Sequence, residues 1–137
     1  MNDPSKTDLD IAGILAWRAQ NQPDRLALRY EAGGASAGSW EERYPAVTYR
    51  ELHWQALAVA AELGERAQAG SRVILALDSG MDFVASFFGC LYAEMIALPV
   101  PVPRAESDRL RWDQLVQDAA PSVVLTAERH HEGIENL

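Results

Sequence analysis

The clearest indication of the fold is the sequence RVILALDSGMDFVASFFGCLYAEMIALPV at residues 72–100. Residues 72–77 form a nearly continuous apolar run, which is typical of a strand covered on both faces. The pattern Ser79-x-x-Asp82 predicts the capped start of a helix over residues 80–93. Residues 96–100 are again apolar and predict a second buried strand.

The downstream sequence repeats this alternation. Residues 101–107 predict a loop, after which Ser107 or Asp108 would cap a helix that ends near residue 119. Residues 122–126, with the sequence SVVLT, predict a third strand. Strand, helix, strand, helix and strand in this order predict an α/β fold built of right-handed parallel βαβ units. The remaining residues, 127–137, lack a clear period and are predicted to be a polar tail.

The upstream sequence predicts a smaller unit before the parallel strands. Asp8 is expected to cap a helix over residues 9–22. Alternation with period two predicts a strand at residues 26–31. Residues 32–42 are rich in glycine, serine and alanine and predict a loop, after which residues 44–48 would pair antiparallel with the first strand.

A capping box connects this unit to the parallel strands. In Thr48-Tyr49-Arg50-Glu51 the threonine can cap a helix while the glutamate reaches back to it. Helical spacing of apolar residues continues to about residue 66, and Gly70 marks the turn before the first parallel strand. The chain is therefore predicted to begin with a helix and a short antiparallel strand pair.

Composition excludes several classes of protein. The 137 residues suffice for one domain or for one piece of a larger domain. A formal net charge of −8 argues against nucleic acid as a partner, because phosphate binding requires a basic face. The single cysteine, Cys90, excludes an intrachain disulfide and a metal site built only of cysteines. The polar start lacks a signal-peptide core, so the expected location is the cytoplasm.

One apolar segment has the length of a membrane span. Residues 83–102 contain a single charge among 20 residues. That charge, Glu94, lies in the middle, and Pro99, Pro101 and Pro103 interrupt or follow the second half. We therefore expect a short buried helix followed by a buried strand, and no membrane span.

Two sequence features resemble catalytic motifs only superficially. Gly33-Gly34-Ala35-Ser36-Ala37-Gly38-Ser39 has the glycine spacing of a phosphate loop, but it lacks the lysine and an apolar helix start, which favours a flexible connector. Cys90 could be a nucleophile, but a reactive thiol needs a nearby cation, helix N-terminus or histidine. Because Cys90 follows Phe87 and Phe88 near the end of an apolar helix, we interpret it as a packing residue.

The histidines do not predict a metal site. His130, His131 and Glu132 are adjacent in sequence, but neighbouring histidines point apart in regular structure and no third ligand is placed. A solvated tail is the favoured interpretation. His53 lies on a predicted helix two residues after Glu51, a spacing that does not share one face, and is expected at the surface or its boundary.

The charged candidates also have a structural interpretation. Asp78 and Asp82 flank a helix start, where paired carboxylates could perform acid–base chemistry but are better explained by the helix dipole. Arg104, Arg109 and Arg111 could contact a phosphate, but a solvated loop and helix face is favoured. From residue types alone, no catalytic, cofactor-binding or metal-binding residue is assigned.

Three segments resemble the N-terminal region of the acyl-adenylate-forming, or AMP-binding, superfamily. They are SRVILAL at 71–77, MDFVASFFGCLYA at 81–93 and IALPVPVPR at 96–104. FFGCLYA followed by a proline-rich exit ending in Arg104 is most similar to the fatty acyl-AMP ligases. ILAWRA with QPDR, VTYREL and APSVVLT agree in order and spacing, so the resemblance covers about residues 11–127.

Glu94 departs from the pattern of this family, which usually has glycine directly after "YA". Glycine suits a left-handed cap at the C-terminus of the helix. A glutamate there should cost about 1 kcal/mol. Either Glu94 adopts the strained conformation or the helix ends differently.

The resemblance implies an N-terminal fragment of a fatty acyl-AMP ligase, with residues 1–8 disordered and residues 9–126 forming an incomplete subdomain of the large domain. The full-length enzyme would use ATP and Mg²⁺ to convert a fatty acid to acyl-AMP and would pass the acyl group to an acyl carrier protein, in bacterial fatty acid metabolism or polyketide and lipopeptide biosynthesis. The fragment lacks the family's phosphate-loop motif, so it is expected to be inactive and to bind no cofactor.

Three alternatives remain open at this point. The chain could belong to an acyl-CoA synthetase or to a peptide-synthetase adenylation domain of the same superfamily. It could also be a stand-alone interaction module that binds a carrier protein or a ligase.

A strand edge left uncovered after residue 126 would make the fragment self-associate or be marginally stable.

Overall fold

The structure, a computed structural model, describes residues 10–32 and 38–135. Within these ranges the helices are α1 (Ile11–Asn21), α2 (Trp40–Arg43), α3 (Tyr49–Arg66), α4 (Met81–Tyr92), α5 (Arg109–Ala119) and α6 (Glu128–Glu135). The strands are β1 (Leu26–Arg29), β2 (Ala46–Thr48), β3 (Arg72–Ala76), β4 (Ile96–Pro99) and β5 (Val123–Thr126). The strands predicted from sequence are all present, and each is one or two residues shorter than predicted.

The parallel sheet has the strand order β4-β3-β5, with both neighbours parallel to β3. The predicted α/β fold is therefore confirmed. On one face of β3, Val73 and Leu75 pack with Cys90 of α4. On the other face, Ile74 and Ala76 pack with Trp112 of α5. Because successive side chains of a strand alternate between its faces, α4 and α5 cover opposite sides of the sheet.

The aromatic segment around Cys90 lies inside this sandwich, as predicted. Phe83 and Phe87 are partly buried against the cluster that contains Cys90 and Leu63, and their rings stack with centroids 6.4 Å apart. None of the helices in the described ranges is long and apolar enough to cross a bilayer.

The antiparallel pair of β1 and β2 is confirmed, but α1 begins differently from the prediction. Asp10 caps this helix, and its Oδ1 atom accepts a hydrogen bond from the Gly13 amide at 2.7 Å. The predicted cap, Asp8, and the predicted disorder of residues 1–8 lie outside the described residues.

The predicted loop over 32–42 is wrong at its end, because α2 begins within it. Ser39 and Glu42 form a capping box: the Ser39 hydroxyl accepts from the Glu42 amide, and the Glu42 carboxylate accepts from the Ser39 amide. The same motif, Thr48 with Glu51, starts α3 as predicted. The Ser39 box is a sequence signal for a helix start that the glycine-rich composition obscured.

Two other predicted caps need correction. Gly80, not Ser79, precedes α4, and no side chain caps that helix. Asp108 does precede α5, but its carboxylate instead accepts hydrogen bonds from the backbone amides of Arg104 and Ala105. At α5 the cause is that the Asp108 carboxylate is already engaged with these two preceding amides.

Residues 127–137, predicted to be a polar tail without a clear period, contain the helix α6. Ile134 packs against the cluster of Ile74, Ala76 and Trp112. A helix this short has little intrinsic stability, so tertiary contact decides its conformation. Its single apolar anchor is too little for a periodic sequence signal.

Glu94 adopts the strained conformation that the sequence left open, with φ at 55°. The Glu94 amide donates to the Leu91 carbonyl at 3.0 Å, the Met95 amide donates to the Cys90 carbonyl at 2.8 Å, and the Glu94 carbonyl accepts from the Gly70 amide. The turn is therefore fixed by its hydrogen bonds even though the residue is unsuited to it. Ala120 has a similar φ of 44°, which the sequence did not reveal.

Replacing Glu94 by glycine should raise the free energy of unfolding by about 1 kcal/mol, since glycine adopts a positive φ without steric cost. Urea unfolding followed by circular dichroism measures the change. Gln114→Gly within α5 is the control, and is expected to lower stability by about 1 kcal/mol. If Glu94→Gly also lowers stability, the strain at this turn is smaller than its backbone angle indicates.

Candidate functional site

The candidate site lies at the carboxyl edge of the parallel sheet, because open α/β sheets bind their ligands there. The three strands are parallel, so the segments that follow Ala76, Pro99 and Thr126 leave the sheet at the same edge. All three segments contribute charged side chains to one cluster.

Asp78 is the centre of this cluster. Its Oδ1 atom accepts a hydrogen bond from Nη2 of Arg104, and its Oδ2 atom accepts one from Nη2 of Arg129 at 2.9 Å. The Nε2 atom of His130 lies 2.8 Å from the same Oδ2 atom. Arg104 follows β4, whereas Arg129 and His130 belong to α6, so one carboxylate joins the segments after all three strands. We call these four residues the Asp78 cluster.

The electrostatics of the cluster follow from its contacts. Hydrogen bonds from His130, Arg129 and Arg104, in that order of effect, hold the pKa of Asp78 well below its ordinary value. Asp78 is therefore ionised at neutral pH, and its carboxylate contacts all three partners. Because these side chains are partly exposed, the cluster orients the segments more than it stabilises the fold.

An open groove of about 560 Å³ runs beside this edge, between α3, α4 and the end of β5. Its floor is mostly apolar and includes Val59, Leu63 and Leu125. Ser86 is a polar lining residue, and Thr126 donates its hydroxyl hydrogen to the Ala76 carbonyl at 3.0 Å. The groove offers apolar contact, and no nucleophile paired with a base lies in its lining.

Cys90 is a packing residue, which confirms the interpretation from sequence. It is fully buried, and burial raises the pKa of its thiol to about 11. A thiol with that pKa is inert at neutral pH, because the thiolate is the nucleophile.

The histidines are placed differently from one another. His130 contacts Asp78, so its assignment to a solvated tail is wrong; His131 on the same helix is exposed. His53 is half-buried at the boundary, as predicted, and its Nδ1 atom lies 2.8 Å from the Tyr92 hydroxyl. Burial lowers the pKa of His53 and raises the pKa of Tyr92 to about 12. Among residues 10–32 and 38–135, no group of three or more potential ligands could hold a metal ion.

The two aspartates have separate roles. Asp82 lies in the first turn of α4, where its charge suits the helix dipole, as predicted. Asp78 lies before that helix and binds arginines instead, so the dipole explanation is wrong for it. The partners of Asp78 lie 26 to 52 residues away in sequence, so no local sequence pattern predicts these contacts.

The predicted arginine cluster does not converge on a common point. Arg104 binds Asp78, Arg109 pairs with Glu106 at 2.9 Å, and Arg111 is exposed. Of the phosphate-loop candidate, residues 33–37 lie outside the described residues, and the Ser39 hydroxyl is used as the cap of α2.

None of the described residues is assigned to ATP or Mg²⁺. A triphosphate needs uncompensated cations or a cradle of backbone amides at a helix N-terminus. At the carboxyl edge of the sheet, Arg104 and Arg129 share one carboxylate, Asp78, whose single negative charge offsets only one of their two positive charges. The contacts of Asp78 position the loop after β4 and the helix after β5 at this edge.

Comparison with known proteins identifies relatives of this chain. The family model described as AMP-binding enzyme matches residues 15–137. The chain is 33% identical over 119 residues to the medium-chain-fatty-acid–[acyl-carrier-protein] ligase JamA of Moorena producens, which covers 85% of this chain and 19% of that protein. Two other relatives come from Mycobacterium tuberculosis: the long-chain-fatty-acid–AMP ligase FadD23 is 36% identical over 119 residues, and a protein named as the putative fatty-acid–CoA ligase fadD25 is 31% identical over 126 residues.

Two solved structures of ligases superpose on most of this chain. The fatty acid AMP ligase from Legionella pneumophila superposes with a TM-score of 0.83 and 26% identity, over 97% of this chain and 22% of that chain. A fatty acyl-adenylate ligase from L. pneumophila, in complex with acyl adenylate and pyrophosphate, gives a TM-score of 0.77 and 28% identity, over 88% of this chain and 20% of that chain. The chain thus spans about a fifth of the length of the relatives it matches.

Proposed function

Because the chain belongs to the AMP-binding enzyme family, we propose that it is the N-terminal part of the large domain of a ligase that activates a fatty acid. The overall reaction consumes ATP, forms acyl-AMP and releases pyrophosphate; the acyl group then passes to the thiol of an acyl carrier protein and AMP is released. The observation that carries this proposal is the superposition of 97% of the chain on a fatty acid AMP ligase.

Within such a ligase, residues 9–126 would form an incomplete subdomain that serves as a scaffold. The buried thiol of Cys90 and the mutual contacts within the Asp78 cluster support a structural role for these residues. Asp78 would keep the segments after β3, β4 and β5 in place at the edge where α/β proteins bind ligands. Catalytic groups would come from the remainder of the ligase.

The isolated 137-residue chain is expected to release no pyrophosphate from ATP and Mg²⁺ in the presence of medium- or long-chain fatty acids. The longer protein that contains this sequence should release pyrophosphate only when a fatty acid is added. A coupled pyrophosphate assay with matched protein concentrations measures both, and omission of the fatty acid is the control. Turnover by the 137-residue chain would contradict the scaffold role.

The identity of the acyl acceptor separates the proposal from its closest alternative. Relatives named as CoA ligases favour coenzyme A as a second candidate acceptor. Mass spectrometry of reactions offered both coenzyme A and a phosphopantetheinylated carrier protein should find the acyl group on the carrier protein. Acyl-CoA as the main product would favour an acyl-CoA synthetase, and a preference for amino acids over fatty acids would favour a peptide-synthetase adenylation domain.

A further inference from the structure

The outer face of α3 carries a stripe of apolar residues. The inner face of this helix buries Leu52, Ala56 and Leu63. The opposite face exposes Trp54, Leu57, Ala58 and Ala61, with 63% of Trp54 and 45% of Leu57 accessible to solvent. Single exposed apolar residues are ordinary, but these four follow the spacing i, i+3, i+4 and i+7, which places them on one face of the helix.

Opposite charges bracket the four residues. Arg50 lies four residues before Trp54, and Glu65 lies four residues after Ala61, so both continue the same line along the helix. Both are exposed. Arg50 also contacts Asp24 at 3.0 Å, through a carboxylate that is itself largely exposed. We call the six residues from Arg50 to Glu65 on this line the outer stripe.

The outer stripe of one helix is complementary in shape to the outer stripe of a second, antiparallel helix. A two-fold axis midway between Leu57 and Ala58 places Leu57 of one helix opposite Ala58 of a second copy. The same axis places Trp54 opposite Ala61. Each layer then sets a large side chain against a small one, which is how packed helices interdigitate.

The charges choose the direction of the two helices. In the antiparallel arrangement the same axis places Arg50 opposite Glu65 at both ends of the contact. A parallel arrangement in register would instead set Arg50 against Arg50 and Trp54 against Trp54, which is unfavourable for both charge and volume. The antiparallel pair also satisfies the rule that a two-fold contact uses the same patch on both copies.

We propose that the outer stripe is the contact surface of a symmetric dimer, in which α3 packs antiparallel against α3 of a second copy of this chain. Trp54 is the anchor of this contact, since tryptophan contributes disproportionately to binding energy at interfaces. The surface differs from the free edge of β5, through which the sequence predicts self-association.

Analytical ultracentrifugation of the 137-residue chain over a range of concentrations tests the proposal. The chain should populate a monomer–dimer equilibrium, and Leu57→Asp should raise its dissociation constant at least about tenfold. Leu110→Asp is the matched control, because Leu110 is an exposed leucine on α5, 77% accessible, outside the stripe. Thermal melts by circular dichroism establish that each variant is folded.

Charge reversal provides a test that loss of folding cannot imitate. Glu65→Arg alone and Arg50→Glu alone each set like charges opposite one another and should weaken the dimer several-fold. The double variant Arg50→Glu with Glu65→Arg restores opposite charges and should restore dimerisation, although it still lacks the Arg50–Asp24 contact.

Four results would overturn the proposal, three with the 137-residue chain and one with the longer protein. The first is a monomer at all concentrations. The second is an association that neither Leu57→Asp nor charge reversal alters, which would indicate the β5 edge. The third is a double charge variant that dissociates as readily as the single variants. If Leu57→Asp in the longer protein lowers its melting temperature and leaves its mass in solution unchanged, the rest of that protein covers the stripe and the dimer is likewise excluded.

Discussion

Replacing Gly89 by alanine should lower the free energy of unfolding by about 2 kcal/mol, because α3 and α4 are in close contact at this glycine. A Cβ atom at position 89 would lie 2.5 Å from Cγ1 and 2.6 Å from Cβ of Val59, and 3.1 Å from the carbonyl oxygen of Ala56. Two of these three atoms belong to the backbone or are attached directly to it, so the helices must separate to admit a methyl group. The gain in helix propensity, about 1 kcal/mol, offsets only part of this cost.

Gly64→Ala on α3 is the matched control for this prediction. No atom lies within 4 Å of a Cβ atom built at Gly64, so the same substitution should raise stability by up to about 1 kcal/mol. Urea unfolding at low protein concentration measures both variants. If Gly89→Ala is as stable as the unchanged chain, the two helices adjust more easily than their packing indicates.

Leu63→Ala should have a still larger effect and lower the free energy of unfolding by about 2–5 kcal/mol. Leu63 lies on the inner face of α3, is 1% exposed, and belongs to the buried cluster that contains Val73, Leu75 and Cys90. The substitution removes apolar contact and leaves a cavity where the helix meets the sheet. Because a domain is stabilised by only about 5–15 kcal/mol, this loss threatens the whole fold.

Leu110→Ala provides the corresponding surface measurement. Leu110 lies on α5 and is 77% exposed, so the same chemical change should alter stability by less than about 0.5 kcal/mol. Denaturant titrations with a common slope give the difference between the two leucines directly. Equal losses at the two positions would contradict the described core.

The elements predicted correctly from the sequence are those with a strong local signal. The apolar run of β3 and the capping box of Thr48 are both properties of adjacent residues, and both were placed correctly. The Glu94 turn was recognised because a family pattern made one residue conspicuous. Ala120 has an equally unusual backbone angle, but no motif surrounds it.

The candidate site was largely hidden from the sequence because its contacts are distant. Asp78 and His130 are 52 residues apart, and His53 and Tyr92 are 39 apart. Neither pair has a spacing that any single element would produce. Asp78 was therefore assigned to the nearest helix, whereas the folded chain brings it the side chains of two later segments.

The position of β3 at the centre of the sheet has a consequence for synthesis. Val73 of β3 pairs with Ala97 of β4 on one side and with Val123 of β5 on the other. Of the three parallel strands β3 is synthesised first, and its second partner, β5, follows about fifty residues later. As the nascent chain leaves the ribosome, β3 carries an open row of amides and carbonyls until β5 has emerged. Unpaired strand edges of this kind favour aggregation, and chaperones bind the apolar surface that accompanies them.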